Sequence, residues 1–419
     1  MLSFKTYNFQ SKEIIFYLIF YFSLLIGFLF GENSTGGAII DYMGQKNVSV
    51  DFSNDFKKTL LNYESYATRH SPVLIFLLSG FEYLNFSDHV IRLIYLHLCL
   101  SLPVIFYLSI KEKYNFVPKE VLTILVGLIF ISPTFRSLSI WPDSRIAGLI
   151  FFCLSVLFFI KFTNTKKFKY TIYNIISTSF ASYLSPNFCI FSLFFLIYFA
   201  RNYGFFSRQI YFLIILNIIL AFPAFYYVFV LDIKFFMKSA AIGLEHENIF
   251  LRNMFNQLLI IPTIFLFYLT PFLILRIINI ESQNLIYSFI LSIIIFSLSL
   301  YFFDYKPEYT GGGVYFKLSN YLFQNNILFY LISFISMIIL VQLVINNYQN
   351  LFILLLVFLN NPQETIYHKY FDPFLIILFF LIFNLKIDIQ KLKLNINFIA
   401  IYLYFLSFLI ISYFKIYFV

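Results

Sequence analysis

The chain has 419 residues, 61% of them hydrophobic and 12% charged, and it runs repeatedly through stretches of about 18 or more residues with almost no charge. That excludes a soluble domain and marks membrane-spanning helices; because hydrocarbon offers no partner to a bare backbone and the strict alternation of a transmembrane barrel is absent, the expected class is an all-α polytopic membrane protein. The net charge of +9 would suggest nucleic acid in a soluble protein, but here the placement of the charges decides, and no nucleic acid is expected.

The first span is expected at about 14 to 30, preceded by Lys5 and Lys12 and followed by no small-residue cleavage site, so it reads as an uncleaved anchor with a cytoplasmic N-terminus. Residues 31 to 71 follow as a long polar loop. The stretch 72 to 86, "PVLIFLLSGFEYLNF", is apolar but short and carries Glu82, which predicts a juxtamembrane or re-entrant helix. Later spans are expected at roughly 90 to 110, 120 to 135, 145 to 160, 170 to 184, 187 to 200, 209 to 230, 255 to 275, 284 to 302, 325 to 345, 350 to 360, 371 to 385 and 396 to 414. The bundle then has about 11 to 13 transmembrane helices.

With 72 to 86 not crossing, the basic clusters share one side. Lys5, Lys12, Lys111, Lys113, Lys119, Lys161, Lys166, Lys167, Lys169, Arg201, Arg208, Arg276, Lys386, Lys391 and Lys393 make 15 of the 29 Lys and Arg there, with only 5 of the 20 acids (Glu13, Glu112, Glu120, Glu281, Asp388). The positive-inside rule makes that side cytoplasmic, and letting the short segment cross would send the two densest clusters outward. The outer side owns the loops at about 31 to 89, 136 to 144, 231 to 254 and 303 to 324 and the stretch 360 to 370, and with Asp372 just beyond it carries the other fifteen acids.

Phe, Tyr, Ile, Asn and Lys are abundant in loops as well as spans, which reads as an AT-rich coding bias rather than an aromatic ligand cage. Cys99, Cys153 and Cys189 fall in apolar stretches without paired spacing, so neither a disulfide framework nor a zinc site is indicated, and buried small hydrophobes are expected. The histidines, His70, His89, His97, His246 and His368, include no HExxH and no close pair, which disfavours a metalloprotease.

Four outer patches carry chemistry-bearing residues. In "GENSTGGAIIDY", Glu32, Gly36, Gly37, Asp41 and Tyr42 follow the first span; a carboxylate desolvated near lipid is expected to have a raised pKa, which suits a general base, although an ordinary helix-terminating loop accounts for the same residues. In "NYESYATRHSPV", Pro72 fits a first helical turn, His70 lies near its N-cap and Arg69 is placed to meet an anion or simply to anchor the interface. "SPTFRSLSIWPDSRIAG" holds Arg136, Trp141, Asp143 and Arg145 between two spans, a density of charge that is costly unless it lines a polar cavity; Asp143 also fits a helix N-cap and Trp141 an interface anchor. "NNPQETIYHKYFDPF", with Glu364, Tyr367, His368, Lys369, Tyr370 and Asp372, follows an unusually short apolar run, where polar ligands often meet a membrane protein.

These residues, in this order, resemble the GT-C superfamily of integral membrane glycosyltransferases, in particular the bacterial branch with the protein O-mannosyltransferases and lipid A aminoarabinose transferases. That family has a first span, an outer loop with an early catalytic acid, and a His-Pro-Pro-Leu-like stretch opening a membrane helix; this chain has Asp41 and "RHSPVLIFLLSG". A Ser/Thr-Pro span end before an acid-bearing outer loop is matched by "ISPTFRSLSIWPDSRIAGLIFF", and a late Arg-Tyr-containing loop before a span is matched loosely by "YHKYFDPF", which has Lys369 where the family commonly has arginine. No internal repeat, linker or soluble domain is visible, so one membrane domain over 1–419 is expected: a GT-C-like catalytic module in 1–200, with outer loop 31–89, and additional transmembrane helices in 201–419.

The resemblance implies inverting transfer of a sugar from a polyprenyl-phosphate donor to a hydroxyl or amine of a glycan, lipid or protein acceptor, at the periplasmic face of a bacterial inner membrane. It implies Asp41 as base, with Glu32 competing for the role, and Asp143 orienting the acceptor or supporting developing oxocarbenium charge. Arg69, His70, Arg136, Arg145 and Lys369 would hold the donor phosphate, and Tyr42, Tyr367 and His368 would support the acceptor or the loops. No metal ligands are named and no cofactor is required with certainty; a divalent metal ion is left open. The rival readings are an O-antigen-type glycan polymerase, a lipid-linked sugar transporter or flippase, and a non-catalytic membrane scaffold. The polymerase would favour arginine-rich large outer loops, whereas acids outnumber bases in the long loop here; the transporter would place charge mid-span and show repeats.

Overall fold

The computed structural model describes residues 11–66, 68, 70–114, 116–231, 233, 249–280, 284–306, 311–345, 347–361, 365–393 and 395–418. After the apolar helix α1 (Ser11–Leu29), the polar segment is itself largely helical: α2 (Ala38–Asn54), α3 (Phe56–Leu61) and α4 (Pro72–Tyr83). Gly36, at φ +80°, supplies the left-handed turn that lets α2 start right after Gly37. Ser71 accepts the Val73 N–H and Pro72 takes the first helical position, so α4 starts where the Ser-Pro dipeptide dictates. It packs along α2, and its 12 residues reach only about 18 Å, well short of a bilayer core of about 30 Å.

α5 (Asp88–Cys99) and α6 (Ser101–Lys113) continue as one apolar stretch of 26 residues. α7 (Lys119–Phe130) and α8 (Pro133–Ile140) bend by 62° at a second Ser-Pro cap, Ser132 and Pro133. α9 (Ser144–Thr165), capped by Asp143, packs on α6 and on α10 (Phe168–Leu184), which is followed by α11 (Phe191–Tyr203) and α12 (Arg208–Phe225). Pro223 interrupts α12, and there the Tyr183 hydroxyl enters the ladder, accepting from the Ala224 N–H and donating to the Leu220 carbonyl. The second half comprises α13 (Ile249–Ile274), α14 (Leu285–Tyr301), α15 (Gly313–Phe323), α16 (Ile327–Val344), α17 (Tyr348–Leu359), α18 (Phe374–Leu381) and α19 (Asn395–Phe418). Strands β1 (Ile278–Asn279) and β2 (Lys386–Ile387) pair antiparallel, Ile278 opposite Ile387, and tie the end of α13 to the segment after α18.

Among the described residues six helices are long and apolar enough to cross a membrane, seven with the bent α7–α8 pair, which makes this an all-α polytopic membrane protein. The 11 to 13 spans expected from the sequence included shorter apolar runs. Glu13–Leu29, Leu285–Tyr301 and Tyr348–Leu359 have fewer than 18 residues, and the run at 371 to 385 contains only the eight helical residues of α18. Cys99 and Cys153 are buried, but Cys189 is exposed, contrary to expectation, because it sits in the tight turn after Pro186–Phe188 rather than inside a helix.

The inter-helix segments sort into two mutually contacting sets. In one, Glu32 pairs with Arg136, Asp41 with Lys369, Asn256 with Asp304, and Gly312 N–H with the Ile366 carbonyl. In the other, Lys113 and Tyr114 bond the carbonyls of Phe383 and Phe380, Asn164 bonds Glu112, Lys166 bonds Asn202, and Lys391 bonds the Arg276 carbonyl. Between them runs one apolar core from Leu24 to Phe405, and a smaller cluster of Val48, Phe52, Tyr63, Ile75 and Ile233 lies under α2 and α4. α18, buried along its whole length, covers only about 12 Å. Asp372, just ahead of it, is buried.

Candidate functional site

The site begins at the start of α2. Asp41 Oδ2 lies 2.8 Å from Lys369 Nζ and 3.9 Å from Arg145 Nη2. Gly37, one turn earlier, lies beside the same ammonium, a Cβ built there falling 3.6 Å from Lys369 Nζ, an ordinary contact distance. Arg145 leaves the first turn of α9 with its Nε 4.0 Å from Asp143 Oδ1 and its guanidinium over the Tyr370 ring at 4.4 Å. Lys369 in turn lies 5.2 Å from the Tyr367 ring centroid. Asp41, Asp143, Arg145, Lys369, Tyr367 and Tyr370, from three remote stretches of chain, therefore form one cluster, and His70 lies near enough for both carboxylates to act on its ring.

Two electrostatic consequences follow. Burial pushes Asp41 up, but Lys369, Arg145 and His70 together outweigh it and hold the carboxyl below its ordinary range. This corrects the expectation of a raised pKa, which counted the desolvation and not the ammonium group 328 residues away. For His70 burial dominates over the attraction of Asp143 and Asp41 and lowers the imidazole's pKa from its ordinary value. Asp143 is an N-cap, its Oδ1 accepting the Arg145 N–H at 2.8 Å. Its Oδ2 is buried with no hydrogen-bond partner among the described residues, and the same holds for Arg145 Nη1.

Glu32 and Arg136 are brought together with each other, which does not fit the catalytic and phosphate-binding roles that the sequence suggested. Arg136 Nε and Nη2 reach the Glu32 carboxylate at 2.8 and 2.6 Å, and its other contacts go to Ser23. Both residues are about 5% exposed, and the space is made by Gly27, where a Cβ would fall 2.3 Å from Glu32 Oε2. Asp41 is thus the acid of this segment that faces the cationic cluster. His368 also departs from its expected place: it packs against Phe267, Tyr268 and Phe408, its Nε2 2.8 Å from the Tyr268 hydroxyl, and burial pushes its pKa down to about 3. Tyr42 donates to Asp88 Oδ1 at 2.6 Å rather than facing the cluster. Arg69 and Glu364 lie outside the described residues.

A second polar network was not anticipated. Asp88 also holds Lys46 at 2.7 Å, and Arg92, one turn along, stacks its guanidinium 3.4 Å over Trp141 and bonds the Ile140 carbonyl. With Tyr95 donating to the Asp143 carbonyl, this network fixes the 140–143 loop against α2 and α5. Behind Lys369 and Tyr370 lies a cavity of about 30 Å³ whose walls include Arg145, Ser185, Asn187, Phe188, Asn360 and Asp372; that volume has room for about one or two waters. Asp372 Oδ2 accepts from Ser132 Oγ at 2.6 Å and from the Thr134 N–H at 3.0 Å, which ties the loop to the α7–α8 bend. Among the described residues no three His, Cys, Asp or Glu side chains are grouped to hold a metal ion. No family model, curated protein or solved structure matches the chain.

Proposed function

We propose that the protein is an inverting membrane glycosyltransferase, moving a sugar from a polyprenyl-phosphate donor to an acceptor hydroxyl or amine at the outer, periplasmic face of a bacterial inner membrane. The observation that supports it is the Asp41–Lys369–Arg145–Asp143 cluster, two carboxylates and two cations from remote segments, set at one end of a bundle of apolar helices. A lipid phosphate keeps its tail in the bilayer, so its chemistry belongs where apolar helices meet charged loops.

In the resting arrangement Lys369 and Arg145 neutralise Asp41. A donor phosphate draws both cations to itself, and Asp41, released from them and still partly buried, becomes the stronger base. The acceptor oxygen then bonds to the anomeric carbon as Asp41 takes its proton, and the carbon–oxygen bond to phosphate breaks with its electron pair leaving on the phosphate, where Lys369 and Arg145 stabilise it. Asp143, whose Oδ2 has no hydrogen-bond partner among the described residues, supports positive charge developing on the sugar. The cavity beside the cluster is too small for a sugar, so this reading requires Lys369 and Tyr370, on its wall, to swing outward when the donor enters.

The test is purified protein in lipid nanodiscs with a polyprenyl-phosphate hexose labelled in the sugar, followed by release of free polyprenyl phosphate. Turnover that depends on Asp41 is expected. Movement of intact donor between leaflets without cleavage would favour a flippase and overturn the reading.

A further inference from the structure

Beyond the charged cluster, the cavity walls carry a specificity. We propose, on the glycosyltransferase reading, that the transferred sugar is an uncharged, hydroxyl-bearing ring recognised by Asn360 and Asn187, and not an amino sugar. Asn360 is only 6% exposed, it lines the cavity, and its Oδ1 has no hydrogen-bond partner among the described residues. A buried acceptor without a donor is costly, so this carbonyl oxygen is suited to receive an O–H from a bound molecule. Arg145, on the same cavity, carries the complementary orphan, the donor Nη1. Hydroxyl groups of one ring match both kinds of orphan, since an O–H can donate to Asn360 and its oxygen can accept from Arg145. An ammonium group donates only, and it would leave Arg145 facing a like charge.

The rest of the lining agrees. Phe188, Tyr370 and Phe374 supply aromatic rings, Ile146 and Leu149 aliphatic surface, and Ser185, Asn187 and Thr134 neutral polar groups. The charged groups on the wall are the cations Arg145 and Lys369 and the carboxylate Asp372, whose Oδ2 already takes Ser132 and Thr134. Amides and hydroxyls around aromatic rings read a polyhydroxylated ring by its O–H pattern, and the two cations beside them serve the phosphate.

The experiment measures binding of three probes to the full chain in nanodiscs: undecaprenyl phosphate, undecaprenyl-phosphate glucose and undecaprenyl-phosphate aminoarabinose. Wild type is expected to bind the glucose form at least tenfold more tightly than the aminoarabinose form, and more tightly than the bare carrier. Asn360→Ala should bring the glucose form about tenfold closer to the bare carrier, and Asn360→Asp should turn the preference toward the amino sugar. If the Asn360 variants do not fold, Asn187→Ala and Asn187→Asp make the same comparison from a second position in the lining. Equal binding of all three probes, unaltered by these substitutions, overturns the specificity while leaving the carrier reading intact; so does a wild-type preference for aminoarabinose. Failure of wild type to bind even the bare carrier overturns the glycosyltransferase reading itself.

Discussion

Lys369 Nζ lies 2.8 Å from Asp41 Oδ2 although 328 residues separate them in the chain. The pairing makes the first polar segment and the last polar loop two walls of one site, and it decides the protonation of the acid. Because Asp41 is held below its ordinary range, it is ionised at every pH above the unfolded value of about 3.9, and its contribution to stability is present there and lost only as pH falls through the lower folded value. Lys369→Met removes the largest opposing charge and lets burial lift the group. The acid limb of kcat/KM should therefore move to higher pH in the variant, and an unmoved limb would separate Asp41 from the rate.

Glu32 and Arg136 form a buried ion pair, and removing one partner leaves the other charge uncompensated. Glu32→Gln or Arg136→Met should each cost about 3 to 5 kcal/mol of stability, read as a lowered melting temperature, with donor affinity unchanged in protein kept cold. Gly27→Ala should act through the same pair by driving a methyl group into Glu32 Oε2. A loss of donor binding with no loss of stability would return Arg136 to the phosphate.

Asp143 joins a structural role to a chemical one, and two substitutions separate them. Asparagine caps a helix about as well as aspartate, whereas alanine gives up about 1 kcal/mol. Asp143→Asn should keep the melting temperature and lose rate; Asp143→Ala should lose both. Full activity in the asparagine variant would reduce Asp143 to its cap.

Much of the architecture is legible in the chain, for reasons that particular residues make plain. The Ser-Pro dipeptide at 71–72 announces a helix start, Asp143 announces another, and the apolar run from Asp88 to Lys113 announces a span that is interrupted only at Leu100; Ser132-Pro133, read from the sequence as the end of a span before a loop, opens α8 instead. The shortness of α4 is visible in the same way. Pairings are not: sequence presents Glu32 and Asp41 as equivalent acids, and only folding gives Arg136 to one and Lys369 to the other. Lys46, Asp88 and Arg92 passed unnoticed because spacing along the chain says nothing about which of them meets Trp141. His368 and Lys369 are neighbours in sequence, yet the short helical turn from His368 to Tyr370 sends one into the aromatic core and the other to Asp41.

His368 gives a pH test of that divergence. Burial depresses its folded pKa to about 3, against about 6.5 in an unfolded chain, so below that upper value the unfolded state binds a proton that the folded state refuses. Stability should decline as pH falls from 6.5 toward 3, and His368→Phe should flatten the decline; His70, also held down by burial, acts in the same direction. An equally steep profile in the variant would place His368 in water.

The central claim is that Asp41 takes a proton from the acceptor while Lys369 and Arg145 receive the leaving phosphate. The most direct measurement is single-turnover sugar transfer by Asp41→Asn in nanodiscs, with insertion and melting temperature matched to wild type. A rate reduced by roughly 10²- to 10⁴-fold is the predicted result; transfer at the wild-type rate would contradict it.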